Sequence, residues 1–437
     1  MKIITAILLL LYPVAICFSQ EKKEIDWKSD IEYLKNTLPQ KHINIFFKTS
    51  EYEFNKQLNA IMVKLPELTD LQVAVKIQQV LAKMGDTHTN AGWVKFINDE
   101  KNIGIGTYWF KDGLYITSTN QRDSILLGKK IVRIGGMNIQ ELVDSLKTMF
   151  TDENEALTKN LVPLLLIYGQ LLNHFGCVSN EEGFVEFEVS DEANQVFKHQ
   201  IKLGVNDTTI YSNITSNPLL YGSNDWFVEK YDGENEIYFI QYNRCDSKEL
   251  AIGFSQPQNI IDKKPSIEEF KQKVYQTISE KPIKKFVFDM RYNEGGSSPQ
   301  GTKIIEDLSR INKINQEGKL FVLIGRKTFS SAIINTLDFQ SKTKAILVGE
   351  ETGGKASHYG ETRSFILASS GLQITYSTKY FYCNKKNKIK VFRSRKGINT
   401  NKDERKSIIP DKTVELTFDN FKNNVDPVLK WIEQYSK

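Results

Sequence analysis

The chain has 437 residues, 40% of them hydrophobic and 25% charged, with a formal net charge of +5. That composition describes a foldable globular protein, and at roughly 150 residues per domain the length predicts two or three domains. The charge is small for this size and the lysines are scattered, so no basic stripe argues for a nucleic-acid partner.

The first residues, MKIITAILLLLYPVAICFSQEKK, place a lysine before an apolar run and small residues before a polar stretch. The run is shorter than the ~20 residues of a membrane span and reads as a secretory signal peptide, residues 1–19, cut near Ser19 or Gln20. Cys17 suggests a lipid anchor, but Ile16 stands where a small residue is expected. No later segment is apolar enough for stable membrane insertion, so the mature chain is expected to be secreted or periplasmic. Cleavage leaves Cys177, Cys245 and Cys383, an odd and widely spaced set that reads as three small buried residues.

Residues 20–95 read as an N-terminal helical domain. In TDLQVAVKIQQVLAKM, Val73, Ile77, Val80, Leu81 and Met84 share one helical face, with Thr69 or Asp70 as cap. From about 100 the period shortens. Short strands around Gly turns, a helix over ENEALTKNLVPLLLIYGQLLNHFG despite Pro163, and a hairpin from GFVEFEVS and VFKHQIKLGV make residues 96–215 a β-rich module with a helical segment. Residues 216–437 alternate. NEIYFIQY, KKFVFDMR, KLFVLIG and KAILVGE are strands, and helices lie between them, with Ile267, Phe270, Val274 and Ile278 aligned on the first. Two successive βαβ units predict a parallel sheet.

In such a sheet the loops leaving the carboxyl ends of the strands share one edge, where ligands bind. YNEGGSS, RKTFSS and ETGGKAS should gather there. Ser330 or Ser331, at a helix start, is an obvious N-cap. The same position also exposes a hydroxyl beside a positive helix end, which suits a nucleophile and a developing oxyanion. Gly295–Gly296 and Gly353–Gly354 read as tight turns. Lys355 offers a base if burial lowers its reference pKa of ~10.4; otherwise it is a solvated loop charge. GEETGGKA approaches a phosphate-binding loop, but Ala356 lacks the metal-binding hydroxyl and an alternating stretch rather than a helix follows it. The five histidines form no metal pair, and His358 is the one near this edge, as a rival base.

At these residues the chain resembles the C-terminal processing (tail-specific) serine peptidases, a family that includes the tricorn core protease and the interphotoreceptor retinoid-binding repeats. FVFDMRYNEGGSS, TFSSA and ILVGEETGGK carry the likeness, supported by LAKMGDTHT at 81–89 and by PDKTVELT and DPVL near the end. In bacterial members the nucleophile precedes the general-base lysine by 25 positions, and so does Ser330 precede Lys355, which selects Ser330 over Ser331. The resemblance implies an α/β, crotonase-like ββα/βαβ core with parallel strands, an N-terminal helical segment and a shortened PDZ-like module. It implies a secreted serine endopeptidase working through a Ser330–Lys355 dyad and an acyl-enzyme. The oxyanion would be held by the amides of Ser331 and of Gly295 or Gly296. Tyr359, standing where some members have a glutamine, would orient Lys355, with His358 beside it; Asp289 and Arg291 would pin the loop. Gly104, Ile105 and Gly106 would grip the C-terminal tails of polypeptide substrates. No metal or cofactor is implied. The rival readings are a silent peptide- or lipid-binding relative, against which Ser330 and Lys355 both speak, and a small-molecule hydrolase, for which the G-x-S-x-G elbow is missing.

Overall fold

The computed structural model describes residues 24–178, 183–204, 210–211, 225–398 and 406–436. The expected signal peptide lies outside them. The chain opens with three helices, α1 (Trp27–Lys41), α2 (Glu51–Val63) and α3 (Asp70–Lys83). Thr69 begins α3 with a capping box: its hydroxyl accepts from Gln72 N at 3.3 Å and its own amide donates to Gln72 Oε1 at 2.9 Å. Val73, Ile77, Val80, Leu81 and Met84 are buried, as the 3.6-residue period requires.

A seven-stranded sheet follows: β1 (Ile105–Phe110), β2 (Gly113–Asn120), β3 (Lys130–Ile134), β4 (Met137–Asn138), β5 (Phe184–Ser190), β6 (Val196–Lys202) and β7 (Ile210–Tyr211). β5 and β6 form the anticipated hairpin. The long helix expected through Pro163 is instead two, Glu155–Leu165 and Gly169–His174. Pro163 is accommodated, and the break comes where the chain meets the 101–103 segment. There Ile103 N–H bonds Ile167 O at 2.8 Å, and a Cβ on Gly169 would lie 2.4 Å from Lys101 O. One continuous apolar core runs from α1–α3 through this sheet.

The second half is built on a six-stranded sheet ordered β16-β12-β11-β10-β9-β8. Its strands are β8 (Phe227–Asp232), β9 (Ile237–Tyr242), β10 (Lys285–Asp289), β11 (Leu320–Ile324), β12 (Ile346–Gly349) and, after a separate three-stranded sheet of β13 (His358–Ile366), β14 (Gln373–Cys383) and β15 (Ile389–Phe392), β16 (Lys412–Thr413). All neighbours from β9 to β16 run parallel, and only β8 is antiparallel. Side chains alternate between faces. Tyr238, Ile240, Phe286, Phe288, Leu320 and Val322 pack with the crossover helices Ile267–Glu280, Ser298–Ser309 and Ser331–Lys342. Ile237, Phe239, Val287, Phe321, Leu323 and Val348 pack with the C-terminal helix Pro427–Gln434. Both faces are therefore apolar, which is why these strands read as unbroken hydrophobic runs.

The β13–β14 hairpin reaches across to the N-terminal half. Ala91 bridges Ile374, and Thr375 N–H bonds Asn90 O at 2.8 Å. This contact carries the segment after α3 to the carboxyl edge of the parallel sheet.

Candidate active site

Three loops meet at that edge, and a buried asparagine ties them together. Asn293, after β10, donates from Nδ2 to Tyr242 O at 2.7 Å, accepts Gly295 N–H on Oδ1 at 2.9 Å, and takes Phe329 N–H on its carbonyl at 3.0 Å. Cys245 clamps the same loop, its amide on Gly295 O and its carbonyl on Ser297 N–H. Burial pushes the Cys245 thiol up to about 12, so it is no thiolate nucleophile. Below the loop, Arg291 joins Asp289 and Asp426, with Nη2 at 2.8 Å from each carboxylate. Asp289 and Arg291 thus sit in a buried ion network that holds the loop and the C-terminal helix.

Ser330 stands where β11 hands over to the helix Ser331–Lys342. Its side chain makes no capping bond, and its backbone is at φ 51°, ψ −121°, a conformation unusual for a residue with a Cβ. The turn lifts Oγ out of the helix end, and Oγ lies 3.1 Å from His88 Nε2. The neighbouring hydroxyl is used otherwise: Ser331 Oγ donates to Gly296 O at 2.8 Å. Neither hydroxyl caps the helix, and only that of Ser330 meets His88.

His88 was not among the residues singled out in the sequence. It lies in GDTHT, on the loop after α3 that the hairpin draws in, and Thr375 Oγ1 donates to its carbonyl at 2.9 Å. Its ring stacks on Phe329, with centroids 5.0 Å apart, and faces His358 at 5.9 Å. Asp86 lies beneath: Oδ1 takes His88 N–H at 3.0 Å and sits 3.9 Å from His88 Nδ1. Asp86 Oδ2 accepts from His42 Nε2 at 3.0 Å, Ser377 Oγ at 2.7 Å and Thr89 Oγ1 at 2.5 Å. Since His42 Nδ1 accepts Asn44 N–H, its Nε2 carries the hydrogen. Burial alone would raise the Asp86 carboxyl, but the His42 hydrogen bond and the His88 and His42 charges outweigh it and hold the group well below the usual carboxylate range. The signal available in the sequence was an Asp two residues before one of only five histidines.

The other expected residues are distributed as follows. Among the described hydrogen bonds, Ser330 Oγ pairs with His88 and none joins it to Lys355. The Lys355 amide donates to Glu153 Oε2 at 2.8 Å, its backbone bridges Ser407, and it does not line the cleft around Ser330. Tyr359 takes Asn44 Nδ2 on its hydroxyl at 3.2 Å and packs against His42, Phe47 and Tyr380. His358 is buried, with its pKa lowered to about 4 by desolvation and then by the nearby His88 charge. Gly295 spends its amide on Asn293, whereas no acceptor takes the Gly296 or Ser331 amide among the described hydrogen bonds. Gly295 (φ +108°) is required for another reason: a Cβ there would lie 2.8 Å from Ser330 Cβ. Gly104, Ile105 and Gly106 do not line this cleft. Gly104 O takes Asn120 N–H, and Ile105 and Gly106 pair with Thr119 and Ser118.

The cleft is about 750 Å³. Thr87, His88 and Ser330 lie on its floor beside the Gly296 and Ser331 amides, and Phe150, Leu157, Leu161 and Leu164 form an apolar wall. The arrangement supplies a hydroxyl, an imidazole within hydrogen-bond reach and two amides, that of Ser331 at a helix start and that of Gly296 in the neighbouring loop, which are the parts of acyl transfer. Among the described residues, no group of three or more His, Cys, Asp or Glu side chains could hold a metal.

The Peptidase family S41 model matches residues 303–399, the stretch holding Ser330 and Lys355. Among solved structures, mature CPAF superposes with a TM-score of 0.61 at 12% identity, covering 93% of this chain and 95% of that one. Mature CPAF complexed with lactacystin gives 0.59 at 12% identity, covering 93% and 96%. At that identity the likeness is one of fold. Among curated proteins no sequence matches. The chain thus matches the S41 peptidase family model over residues 303–399 and is similar in fold to mature CPAF over most of its length. Polypeptides are the substrate class of that family.

Proposed function

We propose that the protein is a serine endopeptidase in which Ser330 is the nucleophile and His88 the general base. The observation that carries this reading is the 3.1 Å contact between Ser330 Oγ and His88 Nε2 beside two unclaimed amides. Ser330 Oγ attacks the peptide carbonyl while its proton passes to His88 Nε2. The oxyanion is received by the Ser331 and Gly296 amides. His88 then gives the proton to the leaving amine, and water, activated in the same way, cleaves the acyl-enzyme. Asp86 steadies the imidazolium through charge and through its hold on the His88 backbone. In this reading Lys355 is a loop residue, in place of the base that the family resemblance implies.

The test is a fluorophosphonate probe on the purified protein. Labelling mapped to Ser330 and lost in His88→Ala supports the reading; labelling elsewhere, or none, overturns it. We further propose export, supported by the lysine and apolar run at the N-terminus, and checked by the mature N-terminal residue after expression. Preference for C-terminal tails, which the family resemblance implies, is checked with matched free-acid and amidated peptides, and equal rates discard it.

A further inference from the structure

A second cleft, about 1000 Å³, adjoins the first and shares Glu294, Gly296, Lys327, Ser331, Glu361 and Phe381 with it. The two differ in chemistry. The first contains His88, the leucine wall and the two cations Arg326 and Lys327; the second contains neither His88 nor that wall and is lined by five cations. Two of those cations are matched, Lys264 by Asp246 at 2.6 Å and Lys379 by Glu361 at 3.1 Å. Arg244, Lys327 and Arg393 have no carboxylate within ion-pair distance among the described residues, and Glu294 is the one carboxylate of this wall without a cation. The balance is two uncompensated positive charges.

Two of these cations, Arg244 and Lys327, are placed by the machinery itself. Arg244 directly precedes Cys245, whose backbone clamps the Gly295–Ser297 loop, and its guanidinium lies 5.3 Å over the Trp226 ring. Lys327 stands three residues before Ser330, between the buried Arg326 and Thr328. A substrate whose carbonyl oxygen sits at the Gly296 and Ser331 amides, with its amine toward His88, sends its acyl half away from His88. That direction leads into the cationic cleft.

Resting on the peptidase reading above, we infer that this cleft selects polypeptides with acidic residues on the acyl side of the scissile bond, through Arg244, Lys327 and Arg393. The apolar wall of the first cleft then faces the leaving side. Partly exposed charge pairs of this kind contribute about two- to fivefold each and are screened by salt.

The experiment is a peptide library digested by the full chain, with cut sites read by mass spectrometry, followed by matched peptides differing only by Glu or Gln on the acyl side. Enrichment of Glu and Asp there, with a Glu-to-Gln ratio of kcat/KM of about fivefold or more that falls on raising salt, supports the inference. The ratio should drop toward one in Arg244→Ala/Arg393→Ala, chiefly through KM, and invert toward basic peptides in Arg244→Glu/Arg393→Glu. A library cut without acidic enrichment, or enrichment that survives both variants, overturns it while leaving the peptidase reading intact. A wild-type chain that cuts no peptide overturns both.

Discussion

Ser330 Oγ and His88 Nε2, separated by 242 residues of sequence, lie 3.1 Å apart. Neither position is free to drift. The Ser330 backbone is held in a strained turn between Phe329, bonded to Asn293, and the crossover helix. His88 is fixed by Asp86 below it and by the Thr375 contact beside it. On the proposed mechanism, holding both partners in advance removes the entropy cost of bringing base and nucleophile together in the reacting complex.

Ser330→Ala should lose at least about a thousandfold in cleavage of an unfolded polypeptide, with its thermal transition retained. Ser331→Ala removes only the bond to Gly296 O and should keep measurable turnover. Rates of the two variants on the same substrate decide the assignment, and a dead Ser331→Ala beside an active Ser330→Ala reverses it.

Much of this architecture is legible in the sequence. The parallel strands announced themselves as apolar runs because both their faces are covered, and parallel order brings the three loops to one edge by topology alone. The α3 face followed from its period and Thr69 cap. The partner of Ser330 was not legible, because it depends on a long-range contact: the Ala91–Ile374 bridge that carries GDTHT across the molecule. Lys355 has the family spacing, but its backbone is held by Glu153 and Ser407 and it does not line the Ser330 cleft, which no local pattern reveals. Gly295 reads as a turn needing positive φ, and its φ is +108°; the close approach of Ser330, which also forbids a side chain there, is the part no local pattern reveals.

Gly295→Ala tests that last point. The φ of +108° and a Cβ contact of 2.8 Å with Ser330 Cβ require either backbone to move. The cost should be about 1–3 kcal/mol in stability. Activity should fall further, by roughly a hundredfold, since a displaced Ser330 loses its alignment. Urea unfolding and kcat, measured on one preparation, separate the two effects; unchanged kcat contradicts the packing argument.

Asp86→Asn should destabilise the fold at neutral pH on the order of 3 kcal/mol, because a buried charged acceptor serving His42, Thr89 and Ser377 is replaced by an amide. The native carboxyl is held below its unfolded value, so its contribution is full above the unfolded pKa of ~3.9 and is lost as pH falls through the native one. Urea midpoints of wild type and variant should therefore differ at pH 7 and converge toward acid. Equal midpoints at pH 7 dismiss the network.

His358 gives the complementary dependence. Its native pKa of about 4 lies below the unfolded imidazole value of ~6.5. Between those values the unfolded chain binds a proton that the native chain does not, so stability falls as pH drops from about 6.5 to 4. The whole window amounts to roughly 3 kcal/mol. His358→Gln should flatten that part of the stability curve, and a curve of unchanged slope in the variant excludes the buried neutral ring as its origin.

The last prediction separates the two bases. If His88 takes the Ser330 proton, His88→Ala should lose about 100- to 10,000-fold in kcat/KM with KM little altered, because the ring acts in the proton-transfer step. Free imidazole added to His88→Ala should restore part of the rate, since the space vacated opens on the 750 Å³ cleft. Lys355→Ala should stay within about tenfold of wild type: its amide on Glu153 survives the substitution, and its side chain does not line that cleft. Lys355→Arg should behave alike, because the guanidinium cannot serve as a base and none is needed at that position. A Ser–Lys dyad requires the opposite outcome, with both Lys355 variants dead and His88→Ala active without imidazole. The four measurements on one fluorogenic peptide therefore choose between the two mechanisms.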